Sequence, residues 1–238
     1  MALALLCLPI AFSATQGAAA TWAYAFTESG GKLGTVCIIL LTGYAYTIRV
    51  EAVKHKLLTF FKSTIALFIF IGVWAFINEH LTKPLLKEVR PSHAYLLQQT
   101  HLTSKIDSLY ALTKEQRMHY FHNLVQQTQQ QFSTIDKKVL THWVEEAGYS
   151  FPSGHSFNAF LLATIMAFSL YHATNPKLRT WYKVPYLWAV LVAISRVALG
   201  AHHPVDVVVG ACMGFVVAAT FIYFDTTRKL IIPKRNKS

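Results

Sequence analysis

Long apolar blocks dominate this amino-acid sequence and limit most strongly what the chain can fold into. Six stand out, at residues 2–20, 33–48, 63–81, 154–171, 184–200 and 204–224. A helix that crosses a membrane needs about 20 mostly apolar residues, and these blocks approach that length. With 53% apolar and only 14% charged residues, the chain is also too apolar for an ordinary soluble domain. We therefore predict an all-α, polytopic membrane protein with six transmembrane helices.

The first block has an alternative interpretation. Ala18, Ala19 and Ala20 resemble the small-residue cleavage site of a secretory signal peptide, although no basic region precedes the apolar run. A retained first helix is favoured, because its loss would leave an odd number of spans and place the two chain ends on opposite sides of the membrane.

The blocks divide the chain into three parts. Residues 1–81 are expected to contain transmembrane helices 1–3, and residues 152–238 are expected to contain helices 4–6 and a basic tail. Residues 82–151 form a connection too long for a simple loop, and such connections usually have structure or function of their own. Patterning predicts helices over 104–131 and 135–147, and therefore a small helical insert.

The position of charge predicts the orientation. The net charge is +11, and the basic excess lies in two connections and the tail. These basic residues are Arg49, Lys54, Lys56, Lys62, Lys177, Arg179, Lys183, Arg228, Lys229, Lys234, Arg235 and Lys237. Because Lys and Arg near helix ends stay on the cytoplasmic side, both termini are predicted there and the insert on the opposite side. This distribution indicates a membrane protein without a nucleic-acid partner.

Six ionisable residues then fall at the extracytoplasmic ends of four predicted helices. They are Lys83, Arg90, His155, Arg196, His202 and Asp206. An ionisable residue at membrane depth costs about 2.5 to 3.5 kcal/mol, so each is a candidate for function. Simpler explanations exist for some of them. The Lys83 side chain can extend so that its ammonium group reaches the membrane–water interface. The Asp206 carboxylate can simply interact favourably with the dipole at a helix N-terminus.

Two short patterns suggest a chemistry. Pro152, Ser153 and Gly154 precede His155 at a predicted helix start, where free N–H groups favour an anion. His202 and Asp206 are four residues apart, so the carboxylate can fix the imidazole tautomer and leave the other nitrogen as a nucleophile.

Three fixed positive charges, Lys83, Arg90 and Arg196, suit a dianionic phosphate group. Together with the histidine they indicate phosphoryl transfer. No set of Asp and Glu is clustered to hold magnesium. Cys7, Cys37 and Cys212 lie in apolar blocks without metal-ligand spacing. We therefore expect no metal and no cofactor.

These residues match a known signature. It consists of Lys83 followed after six residues by Arg90-Pro91, then Pro152-Ser153-Gly154-His155, then Ser195-Arg196 followed by His202 and Asp206. In these motifs, and in the long insert between the first two, the chain resembles the type 2 phosphatidic acid phosphatase family.

The resemblance implies a role for each motif position. His202 would attack phosphorus, Asp206 would orient it, and His155 would protonate the leaving oxygen. The phosphate oxygens would be held by Lys83, Arg90, Ser153, Gly154 and Arg196. His203 stands where relatives often have a bulky aromatic residue, and its role is left open.

The implied protein is a lipid phosphatase of the bacterial inner membrane, with its active site on the periplasmic side. It would act on phosphatidylglycerol phosphate, and also on undecaprenyl pyrophosphate and phosphatidic acid, through a phosphohistidine. Two alternatives stay open at this point. One is a phosphotransferase that passes the phosphoryl group from undecaprenyl pyrophosphate to another lipid, and the other is an anion channel or transporter. The oligomeric state is not predicted.

Overall fold

The computed structural model describes residues 11–228 except Arg49, Glu51 and Thr174, and this part of the chain contains helices and no strand. The helices are α1 (Gly17–Ser29), α2 (Lys32–Thr47), α3 (Val53–Ile77), α4 (Lys83–Leu86), α5 (Pro91–Gln99), α6 (Ile106–Ala111), α7 (Lys114–Gln127), α8 (Lys137–Glu145), α9 (Gly154–Tyr171), α10 (Pro176–Arg179), α11 (Val184–Ala198) and α12 (Pro204–Arg228). The predicted all-α class is confirmed.

Five of the six predicted apolar blocks coincide with long helices, namely α2, α3, α9, α11 and α12. Among the described residues, two helical segments are long and apolar enough to cross a membrane, Val53–Leu86 and Pro204–Asp225, and Lys32–Thr47 is a shorter apolar helix. The first of these segments joins α3 to α4 through a π-helical turn at Asn78–Thr82. Large apolar side chains along it, such as Leu57 and Phe61, are exposed, as expected of a surface that faces lipid.

The first block does not form the predicted helix over residues 11–16, and of its described residues only the last four, 17–20, are helical. Residues 11–16 form turns, and α1 begins only at Gly17. Phe12 has a φ of 59°, which a right-handed helix cannot contain. Its ring packs against Tyr95 and Trp143, at centroid distances of 5.2 and 5.7 Å. Tertiary packing therefore overrides the apolar pattern here. Residues 2–10, including Cys7, lie outside the described residues, as do the tail residues after Arg228.

The described residues separate into two compact units. The first unit comprises residues 11–27, 76–153 and 194–209, and thus contains the insert. Its core is built mainly from insert side chains around Trp143, with Leu96, Leu97, Phe121 and Phe132 fully buried.

The helix predicted over 104–131 is divided in the structure. α6 ends at Ala111, and Thr113 starts α7 through a capping box in which Thr113 and Gln116 exchange hydrogen bonds of 3.0 and 3.3 Å. A strong N-cap competes with helix continuation, and this explains the break. The helix predicted over 135–147 is confirmed as α8, which Asp136 caps.

The second unit comprises residues 28–75, 154–193 and 210–228. Its core packs α2 against α9, with Ile39, Tyr46, Phe157 and Leu161 buried. At Gly214 of α12 a side chain would collide with the carbonyl oxygen of Phe157, so glycine permits the close approach of these helices.

Candidate active site

A tight turn between α11 and α12 positions His202. After α11 ends at Ala198, Gly200 adopts a φ of +70°, a left-handed conformation that glycine accepts without steric cost. The N–H groups of Ala201 and His202 then both donate to the carbonyl oxygen of Arg196, at 3.0 and 3.2 Å. His202 therefore lies against the last turn of the helix that carries Arg196.

Asp206 occupies the first turn of α12. The predicted helix start is confirmed, with Pro204 as its first residue. The Asp206 Oδ2 atom accepts a hydrogen bond of 3.0 Å from the backbone N–H of His203, the residue just before the helix. A carboxylate in the first helical turn is also favoured by the helix dipole. The start of α12 therefore places the Asp206 carboxylate beside the turn that carries His202 and His203.

Two contacts assign the tautomer of His202. Arg90 Nη1 lies 3.2 Å from His202 Nε2, and arginine can only donate, so Nε2 presents its lone pair. In the neutral ring the proton then resides on Nδ1, which lies 3.3 Å from Asp206 Oδ2. This is the tautomer that leaves Nε2 as a nucleophile, with Asp206 on the opposite side of the ring.

Ser150 is a member of this site that sequence reasoning did not identify. Its hydroxyl donates a short hydrogen bond to Asp206 Oδ2 and lies 3.4 Å from His202 Nδ1. Its backbone N–H donates to the carbonyl oxygen of Glu88 at 2.9 Å. A single serine before the second motif carries no chemical signal in sequence, and only the fold brings it to Asp206.

Arg90 is held by hydrogen bonds at both ends. Its guanidinium donates to the carbonyl oxygens of Gly148 and Ala201, each at 2.9 Å. Its backbone N–H donates to the Tyr110 hydroxyl at 3.0 Å, and that hydroxyl lies 2.7 Å from His93 Nδ1. Burial lowers the pKa of His93 to about 3, so the ring is neutral and Nδ1 can accept. Contacts with the insert thus fix the orientation of the Arg90 side chain.

Arg196, fully buried in α11, is joined to Arg90 by a carboxylate. Oε2 of Glu146 lies 2.8 Å from Arg90 Nη1 and 2.8 Å from Arg196 Nη2. Arg196 Nη1 also lies 2.9 Å from His142 Nε2. Burial, and then the charge of Arg196, lower the pKa of His142 to about 4, so the neutral ring can accept this hydrogen bond. Sequence reasoning missed Glu146 and His142, because neither has a distinctive spacing from the motifs.

Lys83 begins α4 and is buried, with its Nζ atom 2.9 Å from Glu79 Oε2. A second lysine, Lys114, reaches Glu79 Oε1 at 3.5 Å. The charge of Lys83 also acts on His202, where it is one of the groups that disfavour protonation. Lys83 thus belongs to the electrostatic environment of the histidine.

The pKa of His202 is well below the ordinary value for histidine. Burial is the largest cause, since it disfavours the charged ring, and the positive charges of Arg90 and Arg196 lower the pKa further. The negative charge of Glu146 acts in the opposite direction. His202 is therefore neutral near pH 7, the state that a nucleophile requires.

The second motif is divided between the two units. Ser153 is buried in the first unit, and its backbone N–H donates to the carbonyl oxygen of Asp206 at 3.0 Å. Gly154 and His155 are the first residues of α9 in the second unit. Because α9 begins at Gly154, Pro152 and Ser153 precede the helix.

A cavity of about 810 Å³ in the first unit borders this site. Lys83, Glu79, Lys114 and Tyr110 line it, together with Gly148, whose carbonyl oxygen accepts from Arg90. Its size falls within the range that accommodates small ligands. Within the described residues, no group of three or more His, Cys, Asp and Glu side chains is arranged to hold a metal ion.

The fold and site define an all-helical protein with apolar helices and a buried histidine–aspartate pair flanked by guanidinium groups. The model of the PAP2 superfamily matches residues 57–230. This chain belongs to the PAP2 superfamily.

Three relatives indicate where in the family it lies. Phosphatidylglycerophosphatase B of Escherichia coli K12 is 27% identical over 187 residues, which cover 78% of this chain and 68% of that protein. Phosphatidylglycerophosphatase B of Haemophilus influenzae is 27% identical over 154 residues, which cover 64% of this chain and 61% of that protein. A bacitracin transport permease protein BcrC of Bacillus licheniformis is 30% identical over 129 residues, covering 46% and 56%.

Proposed function

We propose that this protein is an integral-membrane lipid phosphatase that removes the terminal phosphate of phosphatidylglycerol phosphate. Undecaprenyl pyrophosphate and phosphatidic acid are proposed as further substrates, because a pocket for lipid tails discriminates weakly between chains of different length. The observation that carries the proposal is His202, whose Nε2 lone pair is oriented by Asp206 and lies beside Arg90. The names of two relatives, both phosphatidylglycerophosphatase B, support the same substrate class.

The proposed reaction has two steps. In the first, His202 Nε2 attacks phosphorus, the bond from phosphorus to the lipid oxygen breaks, and His155 gives a proton to the leaving oxygen. Arg90, Arg196 and Lys83 neutralise the equatorial oxygens, with Ser153 and the backbone N–H of Gly154 as further donors. In the second step, His155 takes a proton from water. The water oxygen bonds to phosphorus, the bond between phosphorus and nitrogen breaks, and phosphate leaves.

Asp206 is proposed to stabilise the positive charge that His202 acquires in the phosphohistidine. Ser150 acts through Asp206, because its hydroxyl hydrogen-bonds to that carboxylate. No metal or cofactor takes part in the proposed steps.

The proposed setting is the bacterial inner membrane, with six spans, both termini in the cytoplasm and the active site on the periplasmic side. Support comes from the apolar helices and from the basic residues in the connections predicted to be cytoplasmic. Substrate tails would enter from the bilayer, and the headgroup would reach the cavity beside Lys83.

The direct test is phosphate release by the purified protein in detergent, with EDTA present, from phosphatidylglycerol phosphate and from undecaprenyl pyrophosphate. We expect release from both lipids to continue in EDTA, and the ratio of the two rates to rank the substrates. If the folded protein releases phosphate from neither lipid, the result contradicts the proposal.

The same assay separates the alternatives. A phosphotransferase would turn over only when an acceptor lipid is supplied, and it would form a phosphorylated acceptor in place of inorganic phosphate. A transporter, the alternative that agrees with the name of BcrC, would move anions across vesicle membranes without turnover. Its flux would survive replacement of His202.

The pH dependence follows from the lowered pKa of His202. The neutral ring is the reactive form, and a lowered pKa keeps it neutral at more acidic pH. We therefore expect kcat/KM to fall only as the pH drops below the ordinary histidine pKa of about 6.5. The measurement is a profile from pH 4 to pH 8, corrected for substrate ionisation that is determined separately by ³¹P NMR. An acid limb centred above pH 6.5 would contradict a buried, neutral His202.

A further inference from the structure

Glu146 has a position that the proposed chemistry does not explain. Its Oε2 atom lies 2.8 Å from Arg90 Nη1 and 2.8 Å from Arg196 Nη2. A phosphate oxygen held by two arginines would have these same partners at this same distance, since 2.7–2.9 Å is usual for such charged pairs. A carboxylate of the protein therefore occupies the place where the two guanidinium groups would receive an oxygen of the substrate.

The members of this cluster differ in their access to solvent. The side chains of Arg90 and Arg196 are 3% and 0% exposed, whereas that of Glu146 is 19% exposed. Glu146 also lies at the end of α8, where its backbone N–H still donates to the carbonyl oxygen of His142 at 3.0 Å. A rotation about side-chain bonds can move the carboxylate towards water without disturbing α8. The arginines have no such path.

The charges make an exchange favourable. Two buried guanidinium groups left without an anion would be strongly destabilised, so in the absence of substrate a carboxylate is needed there. An incoming phosphate monoester carries about two negative charges and offers more oxygens than one carboxylate. It can therefore take over both arginines and release Glu146 to the solvent side.

We propose that Glu146 is a displaceable internal anion, which fills the phosphate subsite between Arg90 and Arg196 in the resting state and returns as phosphate leaves. This inference rests on the proposed function, in which those arginines bind the substrate phosphate. Glu146 competes with both substrate and product. It weakens the retention of inorganic phosphate, and thereby favours its release after the second step.

If Glu146 had a different role, its removal would change the affinity for phosphate in the opposite direction. If Glu146 stayed in place during turnover and aligned the two arginines, its removal would weaken phosphate binding. If it is displaced, its removal strengthens phosphate binding. The sign of the change in affinity therefore decides between the two roles.

The test compares Glu146→Gln with Glu145→Gln, using inorganic phosphate as the probe. Glu145 is the exposed neighbour, so its replacement makes the same change in net charge without affecting the arginines. The readout is the phosphate concentration that raises the thermal unfolding temperature by a fixed increment, which reflects the Kd of phosphate and requires no turnover. We expect this concentration to fall about tenfold or more in Glu146→Gln and to stay unchanged in Glu145→Gln. The inhibition constant of phosphate, measured with lipid substrate, should fall in parallel.

An unchanged or higher phosphate requirement in Glu146→Gln would overturn the inference. If Glu146→Gln folds only when phosphate is present, the phosphate has replaced the carboxylate, and the inference is supported. If it does not fold at all, Glu146→Asp decides. The shorter carboxylate of this variant holds the arginines less well, so phosphate should bind more tightly to the variant than to the wild type. If phosphate binds more tightly to the wild type, the result counts against displacement. Phosphate binding with this pattern but without lipid turnover would reject the proposed function alone.

Discussion

Replacing His202 with alanine should reduce phosphate release from phosphatidylglycerol phosphate by at least about 10⁴-fold in kcat. The reason is that no other group in the described site presents a lone pair oriented like that of His202 Nε2. This nitrogen faces Arg90, while Nδ1 on the other side of the ring faces Asp206. The measurement is steady-state phosphate release, combined with rapid acid-free quenching to detect phosphohistidine in the wild type. The variant should show neither turnover nor the intermediate.

His203→Ala is the matched control, because it removes the adjacent imidazole. That side chain is 44% exposed and points towards the Val89 carbonyl oxygen, 3.3 Å away. The backbone N–H that serves Asp206 is kept, so we expect at most about a tenfold loss of kcat. Comparable losses in the two variants, with both folded, would exclude His202 as the nucleophile.

Asp206→Asn should lower kcat by about 10³- to 10⁴-fold, the scale known for amide replacement of a carboxylate that orients a catalytic histidine. The amide oxygen can still accept from Ser150 and from the His203 N–H, so the first turn of α12 should be preserved. The amide carries no negative charge, however, so it holds the Nδ1 proton less strongly and no longer stabilises the positive charge on a phosphohistidine. Michaelis–Menten kinetics and the thermal unfolding temperature are the measurements.

The loss in Asp206→Asn should appear in kcat far more than in KM, because Asp206 faces the histidine and not the substrate phosphate. Glu145→Gln, at an exposed position of α8, serves as the control for loss of one carboxylate. Activity of Asp206→Asn within tenfold of the wild type would show that His202 needs no carboxylate to orient it.

Several parts of the fold were predictable because they depend on local sequence. Apolar runs of 15 or more residues produced α9, α11 and α12 close to their predicted bounds, and Pro204 marked a helix start correctly. The four-residue spacing of His202 and Asp206 was equally informative. One helical turn separates such residues, so their contact needs little help from the rest of the chain.

Other features depended on residues far apart in the chain. Phe12 is not helical and packs on Tyr95 and Trp143, so the helix predicted there from the apolar pattern of the first block was wrong. Glu146 and Ser150 have no spacing that marks them, since the groups they contact come from other helices. In the sequence Glu146 was one acid among many in a nearly neutral insert.

The sequence alone therefore determined the all-helical class and the contact between His202 and Asp206, and it singled out the cationic residues and the histidines as candidates. These rest on composition, on motif spacing and on interactions within about one helical turn. Only the tertiary structure decided that Arg90 contacts His202, that Ser150 supports Asp206, and that Glu146 joins Arg90 to Arg196. Such contacts join residues up to 112 positions apart. Their geometry depends on how α8, α11 and the insert pack, which no local pattern encodes.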